Sequence, residues 1–231
     1  IDAASYGYPL TNPFEATIAT TPPDLRPELP LDDDIDQQTR SVTLRPERAF
    51  DLPDNFWPVK KLTYRIATQD KAAPLIFLIA GTGARYDSTL NEYLKKLYYK
   101  AGYHVVQLSS PTSFDFMSAA SRFATPGVTK EDAEDMYRVM QAVRAQNPKL
   151  PVTDYYLSGY SLGALDAAFV AHLDETRRSF NFKKVLLLNP PVNLYTSITN
   201  LDKLVQTEVK GINNSTTFYE LVLNKLTRYF Q

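Results

Sequence analysis

Over residues 1–39 apolar and polar positions follow no period. Prolines at 9, 13, 22, 23, 27 and 30 interrupt any regular element, and Asp32-Asp33-Asp34 reads as a solvated charge run. This stretch is expected to form an extended arm, with Tyr6, Tyr8 and Phe14 available to pack it against a surface. From Arg40 an alternation begins. Val42 and Leu44, then Leu62, Tyr64 and Ile66, alternate with polar neighbours. They predict strands over Arg40–Arg45 and Lys61–Thr68, at the antiparallel edge of a sheet. Pro74–Ala80 differs, because Leu75 through Ala80 is apolar without a break. Such a run fits a central strand covered on both faces.

Helical periods follow. A helix is predicted from about Ser88, with Leu90, Leu94 and Leu97 on one face and Gly102 as its stop. His104–Leu108 is the next buried strand. Thr129 opens a second helix, with Asp132 three residues on in an arrangement close to a capping box. Ala133, Met136, Met140 and Val143 supply its inner stripe. Asp154–Leu157 predicts a short strand, Leu162 to about Thr176 a helix, and Lys184–Leu188 a strand ending in Asn189-Pro190-Pro191. Two helical patterns, about 200–210 and 217–229, flank Gly211. The alternation of strands and helices implies an α/β fold, a mostly parallel sheet with helices on both faces. The loops after Ala80, Leu108, Leu157 and Leu188 then share the carboxyl edge, where ligands bind in sheets of this class.

Composition narrows the picture. At 231 residues and 44% apolar content the chain can bury one large core. A net charge of -1 gives no reason to expect a nucleic-acid partner. With no cysteine, disulfide and thiolate chemistry are absent. The two histidines, His104 and His172, stand in no metal-ligand spacing, and neither a metal nor a cofactor is expected. No apolar run approaches the roughly 18 residues of a transmembrane span. The chain starts at Ile1 without methionine. Its polar, proline-rich beginning fits the mature start of an exported protein, periplasmic or secreted, and equally an arbitrary boundary. The cytoplasm is left open. Asn213 and Asn214 head overlapping glycosylation triplets, which matter only in a eukaryotic secretory protein.

Gly159-Tyr160-Ser161-Leu162-Gly163 carries the chemistry. It matches the G-x-S-x-G nucleophile elbow, with a strand before it and a small-residue helix (Ala164, Ala167, Ala168) after it. In such an elbow the serine occupies a strained turn, and the glycines let strand and helix approach closely. Gly81-Thr82-Gly83 alone suggests phosphate binding. It lacks both the lysine-bearing P-loop pattern and the third glycine of a dinucleotide fingerprint. Competing readings of Ser161 are an ordinary tight turn and a catalytically inactive relative.

On the elbow and the glycine loop that ends the most apolar strand, the chain resembles the α/β-hydrolase superfamily, in its esterase and lipase-like members. The resemblance implies a serine hydrolase with Ser161 as nucleophile and the N–H groups of Thr82 and Leu162 as oxyanion hole. Ala80 stands where many members carry histidine. It also implies the order serine, acid, histidine, with the last two on loops after the final strands. His172 lies eleven residues beyond Ser161 on one helix, about 16 Å away, and falls on the stripe of Leu165, Ala168 and Phe169. It reads as a partly buried structural residue. His104 is at the far end of its strand and also reads as structural. Asn189 stands near where some members carry the acid, but it holds no charge, and neither Asp166 nor Asp115 is a convincing substitute. The last strands, with acid and base, are therefore expected to be missing from this chain.

The organisation expected is an arm over 1–39, an α/β-hydrolase core over 40–195 and a helical start of a lid over 196–231. The substrate class implied is a small or lipid-like carboxylic ester; amide and thioester substrates use the same machinery, and the sequence does not choose between them. Gly81, Arg85, Tyr160 and Phe114 are candidates to border it, with Tyr86, Phe116 and Met117 as further apolar wall. Arg85 can meet a substrate carboxylate or simply hold Asp87. A second chain completing the open sheet edge is a candidate partner. The alternative function is a non-catalytic binding or scaffold protein with a hydrolase fold, or a surface protein whose arm binds a partner.

Overall fold

The computed structural model describes residues 21, 23–44 and 59–206, together with Asn12, Glu15 and Glu220. Among the described residues six strands form one sheet: β1 (Gln37–Val42), β2 (Leu62–Ala67), β3 (Ala73–Ile79), β4 (His104–Leu108), β5 (Val152–Tyr160) and β6 (Lys184–Leu188). Their order is β1-β2-β4-β3-β5-β6. β1 and β2 run antiparallel, as do β2 and β4, while β4, β3, β5 and β6 are parallel. The helices that lie within the described residues are α1 (Thr89–Lys100), α2 (Phe114–Ala119), α3 (Thr129–Gln146), α4 (Leu162–Arg177) and α5 (Leu194–Gln206).

Alternation along the strands divides the core. Leu75, Phe77 and Ile79 of β3, with Val106 and Leu108 of β4, join the inner stripes of α3 and α4. Ile76 and Val105 point to the other face, against Tyr98 and Tyr99 of α1. This is why β3 is apolar at every position: both faces are covered. The stripe Ala133, Met136, Met140 and Val143 is buried, as its spacing predicts.

Several elements differ from the sequence expectation. β1 begins at Gln37, three residues early. The preceding arm carries two single-turn 3-10 segments, Pro23–Leu25 and Asp32–Asp34. The aspartate run is not merely solvated: Asp32 pairs with Lys96 at 3.2 Å and Lys95 at 3.5 Å, and Asp34 Oδ2 accepts the Leu31 N–H. On α1 the buried positions are Asn91, Leu94 and Lys95, while Leu90 is exposed. The buried Lys95 ammonium is satisfied by Glu92 at 2.6 Å and Gln37 at 2.7 Å. Asp132 caps α3 by accepting the Gly127 N–H at 2.8 Å rather than through a Thr129 box. α2 stands where only a loop was expected. β5 extends through Tyr160, and α5 starts at Leu194, earlier than the 200–210 pattern. Tyr6, Tyr8, Phe14, Arg45, the glycosylation triplets and the 217–229 pattern fall outside the described residues, apart from Glu220. Among the described residues no helix is long and apolar enough to cross a membrane.

Candidate active site

The site is built where β3 and β5 end. Ile79 pairs with Gly159 across the two parallel strands, so the segments that follow emerge side by side at the carboxyl edge. Ser161 joins β5 to α4 with φ 53° and ψ −126°, a conformation costing a non-glycine residue on the order of 1–3 kcal/mol. Its N–H donates to the Leu188 carbonyl at 2.9 Å, and its carbonyl accepts the Ala164 N–H at 3.0 Å. The turn is thus fastened to the end of β6 and to the first turn of α4. The Ser161 side chain is exposed.

The flanking glycines are required by contact. A methyl group at Gly159 would collide with the Gly163 carbonyl. One at Gly163 would collide with the Ala80 carbonyl and stand 2.5 Å from that of Ile79. α4 therefore starts directly against the end of β3. The segment after β3 folds as a turn, Gly81 to Ala84, closed by the Ala84 N–H on the Gly81 carbonyl at 3.0 Å. Gly83 holds φ +68° at its third position, which in a type II turn calls for glycine. Among the described residues the N–H of Thr82 meets no protein acceptor, and neither does that of Leu162, the first residue of α4. The first N–H groups of a helix have no partner within it, and they carry the positive end of its dipole.

The other expected residues are placed as follows. Gly81 is buried beneath the Tyr160 ring, and the Tyr160 hydroxyl shares a 3.1 Å hydrogen bond with Ser88. Arg85 is turned toward its own loop, 3.5 Å from Asp87 and over the Tyr86 ring at 5.5 Å. Phe114 opens α2 and is 47% exposed, whereas Phe116 is buried in the core. Tyr86 is buried as well, rather than forming an open wall.

Neither histidine is beside Ser161. His104 is buried at the start of β4, the opposite end of the sheet. Its Nδ1 accepts the Gln69 N–H at 3.0 Å and its Nε2 faces the Pro151 carbonyl at 3.3 Å, so the ring is neutral with the proton on Nε2. Burial pulls its pKa down. His172 is exposed, not partly buried as the apolar stripe suggests, and pairs with Glu175 at 3.1 Å. Its helical stripe faces outward, with Phe169 also exposed. Asp166 is fully buried, and one of its oxygens has no partner. Burial, then the nearby Asp132, pushes its pKa up to about 8. Among the described residues no group of three acidic, histidine or cysteine side chains is placed to hold a metal.

Sequence reading missed Ser88, Ser109 and Thr112, whose hydroxyls bind the loops at the carboxyl edge. Serine and threonine in a turn-rich stretch carry no periodic signal.

The strand order, the parallel core with helices on both faces and the tight serine turn after β5 define an α/β-hydrolase fold. Among solved structures the chain is similar to brefeldin A esterase, a bacterial homologue of human hormone-sensitive lipase, at 17% identity and a TM-score of 0.51. That match covers 83% of this chain and 51% of the esterase. It is also similar to an esterase of Pyrococcus furiosus, at 12% identity and a TM-score of 0.52, covering 76% of this chain and 60% of that one. The chain thus spans only about half to three-fifths of these two structures. At these identities the fold is what is shared. No protein-family model and no curated protein matches the sequence.

Proposed function

We propose that this chain carries the nucleophile and oxyanion donors of a serine hydrolase that cleaves carboxylic esters through an acyl-enzyme at Ser161. The observation that carries the reading is the Ser161 backbone: a strained residue, exposed at the carboxyl edge, on the first turn of a helix that packs against β3. A structural turn at this place has no need of serine at positive φ. Both esterases named above have this fold, which supports the ester as substrate class.

In this reading Ser161 Oγ attacks the ester carbonyl carbon and yields its proton to a base. The Thr82 and Leu162 N–H groups hold the oxyanion, helped by the α4 dipole. Collapse breaks the ester C–O bond, and the base returns the proton to the departing alkoxide. Water then repeats the sequence on the acyl-enzyme. Gly81, Tyr160, Arg85 and Phe114 border the substrate. Both histidines of the chain are committed elsewhere, so base and acid are assigned to parts of the protein outside these 231 residues. β6 supports this, since among the described residues it is the last strand of the sheet, with Leu186 and Leu187 exposed, suited to further strands. In this reading residues 196–231 begin a lid.

Serine-directed fluorophosphonate labelling of the longest natural polypeptide carrying this chain tests the proposal. Label is expected on Ser161 and is expected to vanish in Ser161→Ala. An unlabelled, folded wild-type protein would leave a hydrolase-fold binding protein as the reading.

A further inference from the structure

The turn that bears the Thr82 N–H is held from two sides by groups other than the proposed nucleophile and oxyanion donors. On one side lies the loop between β4 and α2. The Gly83 N–H donates to Thr112 Oγ1 at 2.7 Å. Thr112 Oγ1 shares a 2.8 Å hydrogen bond with Ser110 Oγ, and the Ser110 N–H donates to the Ala84 carbonyl at 2.9 Å. Just beyond the turn, the Tyr86 N–H donates to Ser109 Oγ at 3.0 Å, and Ser109 donates to Asp115 at 2.9 Å. On the other side is Tyr160. A methyl group added at Gly81 would stand 2.6 Å from its ring.

Turns of types I and II differ by a rotation of the central peptide unit, here the one joining Thr82 to Gly83. The N–H of that unit is the Gly83 N–H. Its acceptor, Thr112 Oγ1, belongs to a different loop and rewards only one of the two orientations. Glycine at 83 lowers the cost of the observed orientation but does not forbid the other. A flip would reverse the dipole of the peptide unit next to the Thr82 N–H, the one N–H of residues 82–84 that meets no acceptor among the described residues.

We propose that Thr112 is a positioning residue: its hydroxyl, through the Gly83 N–H, locks the Gly81–Ala84 turn in the form that presents the Thr82 N–H to the oxyanion. This rests on the hydrolase reading above, and Thr112 itself touches no substrate. The turn is held open to the oxyanion before any substrate arrives, which is the preorganisation that such donors need.

The experiment compares wild type, Thr112→Val and Thr112→Ser in the longest natural polypeptide. It measures hydrolysis of a short-chain p-nitrophenyl ester and hydrogen–deuterium exchange of peptides covering 80–88. Valine keeps the shape and removes the acceptor, and serine restores the acceptor. Thr112→Val is expected to lower kcat by about tenfold to a hundredfold, less than or equal to the loss of a whole oxyanion donor, with KM changed less than about twofold. Its exchange should rise about tenfold within 80–88 and stay at the wild-type rate across α4. Thr112→Ser should recover most of both. Unchanged exchange in Thr112→Val, or a serine variant no better than valine, overturns the proposal. Fast exchange in the valine variant with no esterase activity in any of the three proteins upholds the clamp and sinks the hydrolase reading instead. Should Thr112→Val fail to fold, exchange at 80–88 in Thr112→Ser decides, a wild-type rate upholding the clamp and an accelerated one overturning it.

Discussion

β4 and β6 are both five-residue parallel strands, and their burial is opposite. β4, His-Val-Val-Gln-Leu, is buried at every position, including its histidine and glutamine. β6, Lys-Val-Leu-Leu-Leu, is the more apolar of the two, yet Leu186 and Leu187 are 48% and 37% exposed. The difference is position. β4 lies between β2 and β3, with helices over both faces. β6 pairs with β5 alone among the described residues. Apolar content thus records what a strand is suited to bury, while neighbours decide what is buried. The polar residues of β4 are only partly accommodated by partners: the Gln107 Nε2 donates to Glu92 at 2.9 Å and to the Tyr86 carbonyl at 3.1 Å, while its Oε1 is buried without a hydrogen-bond partner.

The largest test of this contrast is Leu108→Ala at the buried end of β4. It should cost about 2–5 kcal/mol, the range for a leucine truncated in a closed core, read as a lowered urea midpoint with unchanged slope. A smaller loss would show that the carboxyl edge can collapse into the space.

A second test sharpens the contrast between satisfied and unsatisfied buried polar groups. Asp166, on the helix beside β6, has a folded-state pKa near 8 against an ordinary value of 3.8. The native state therefore holds a proton that the unfolded chain has lost. Stability from this group is complete below about pH 4 and is lost as the pH climbs through 8. Asp166→Asn should gain on wild type progressively as the pH rises from 5 to 9, by about 1–3 kcal/mol over that range, on the scale of one unpaired buried polar group. Parallel melting curves of variant and wild type between pH 5 and 9 would remove the idea.

The smallest effect is expected from Leu187→Ala, under about 1 kcal/mol, since the side chain is partly in water already. A loss equal to that of Leu108→Ala would show β6 covered in the intact protein. Denaturation of the longest natural polypeptide beside this chain would reveal it.

Much of the fold was legible. The unbroken apolar run of β3, the inner stripe of α3 and the strand–glycine–helix signature around Ser161 are local patterns, and each stands where its period places it. α2 was not legible because Phe114–Ala119 is too short for a helical period. The burial of Lys95 was not legible because a lysine signals solvent until Glu92 and Gln37 are brought beside it. The outward position of His172 was lost because α4 has a nearly continuous apolar surface, of which only one side meets the sheet. The tight turn at Ser161 was legible from its flanking glycines. Thr112 was not, since its partner Gly83 lies 29 residues away.

By itself the sequence determined the alternation of elements, the apolar centre of the sheet and the serine turn, because these depend on residues within a few positions of one another. Only the tertiary structure decided that β4 inserts between β2 and β3, that β6 is the last strand among the described residues, and that a threonine from the loop after β4 reaches the turn after β3. Those outcomes depend on which segments lie side by side. Long-range pairing is selected by packing of whole faces, and no local period carries that information.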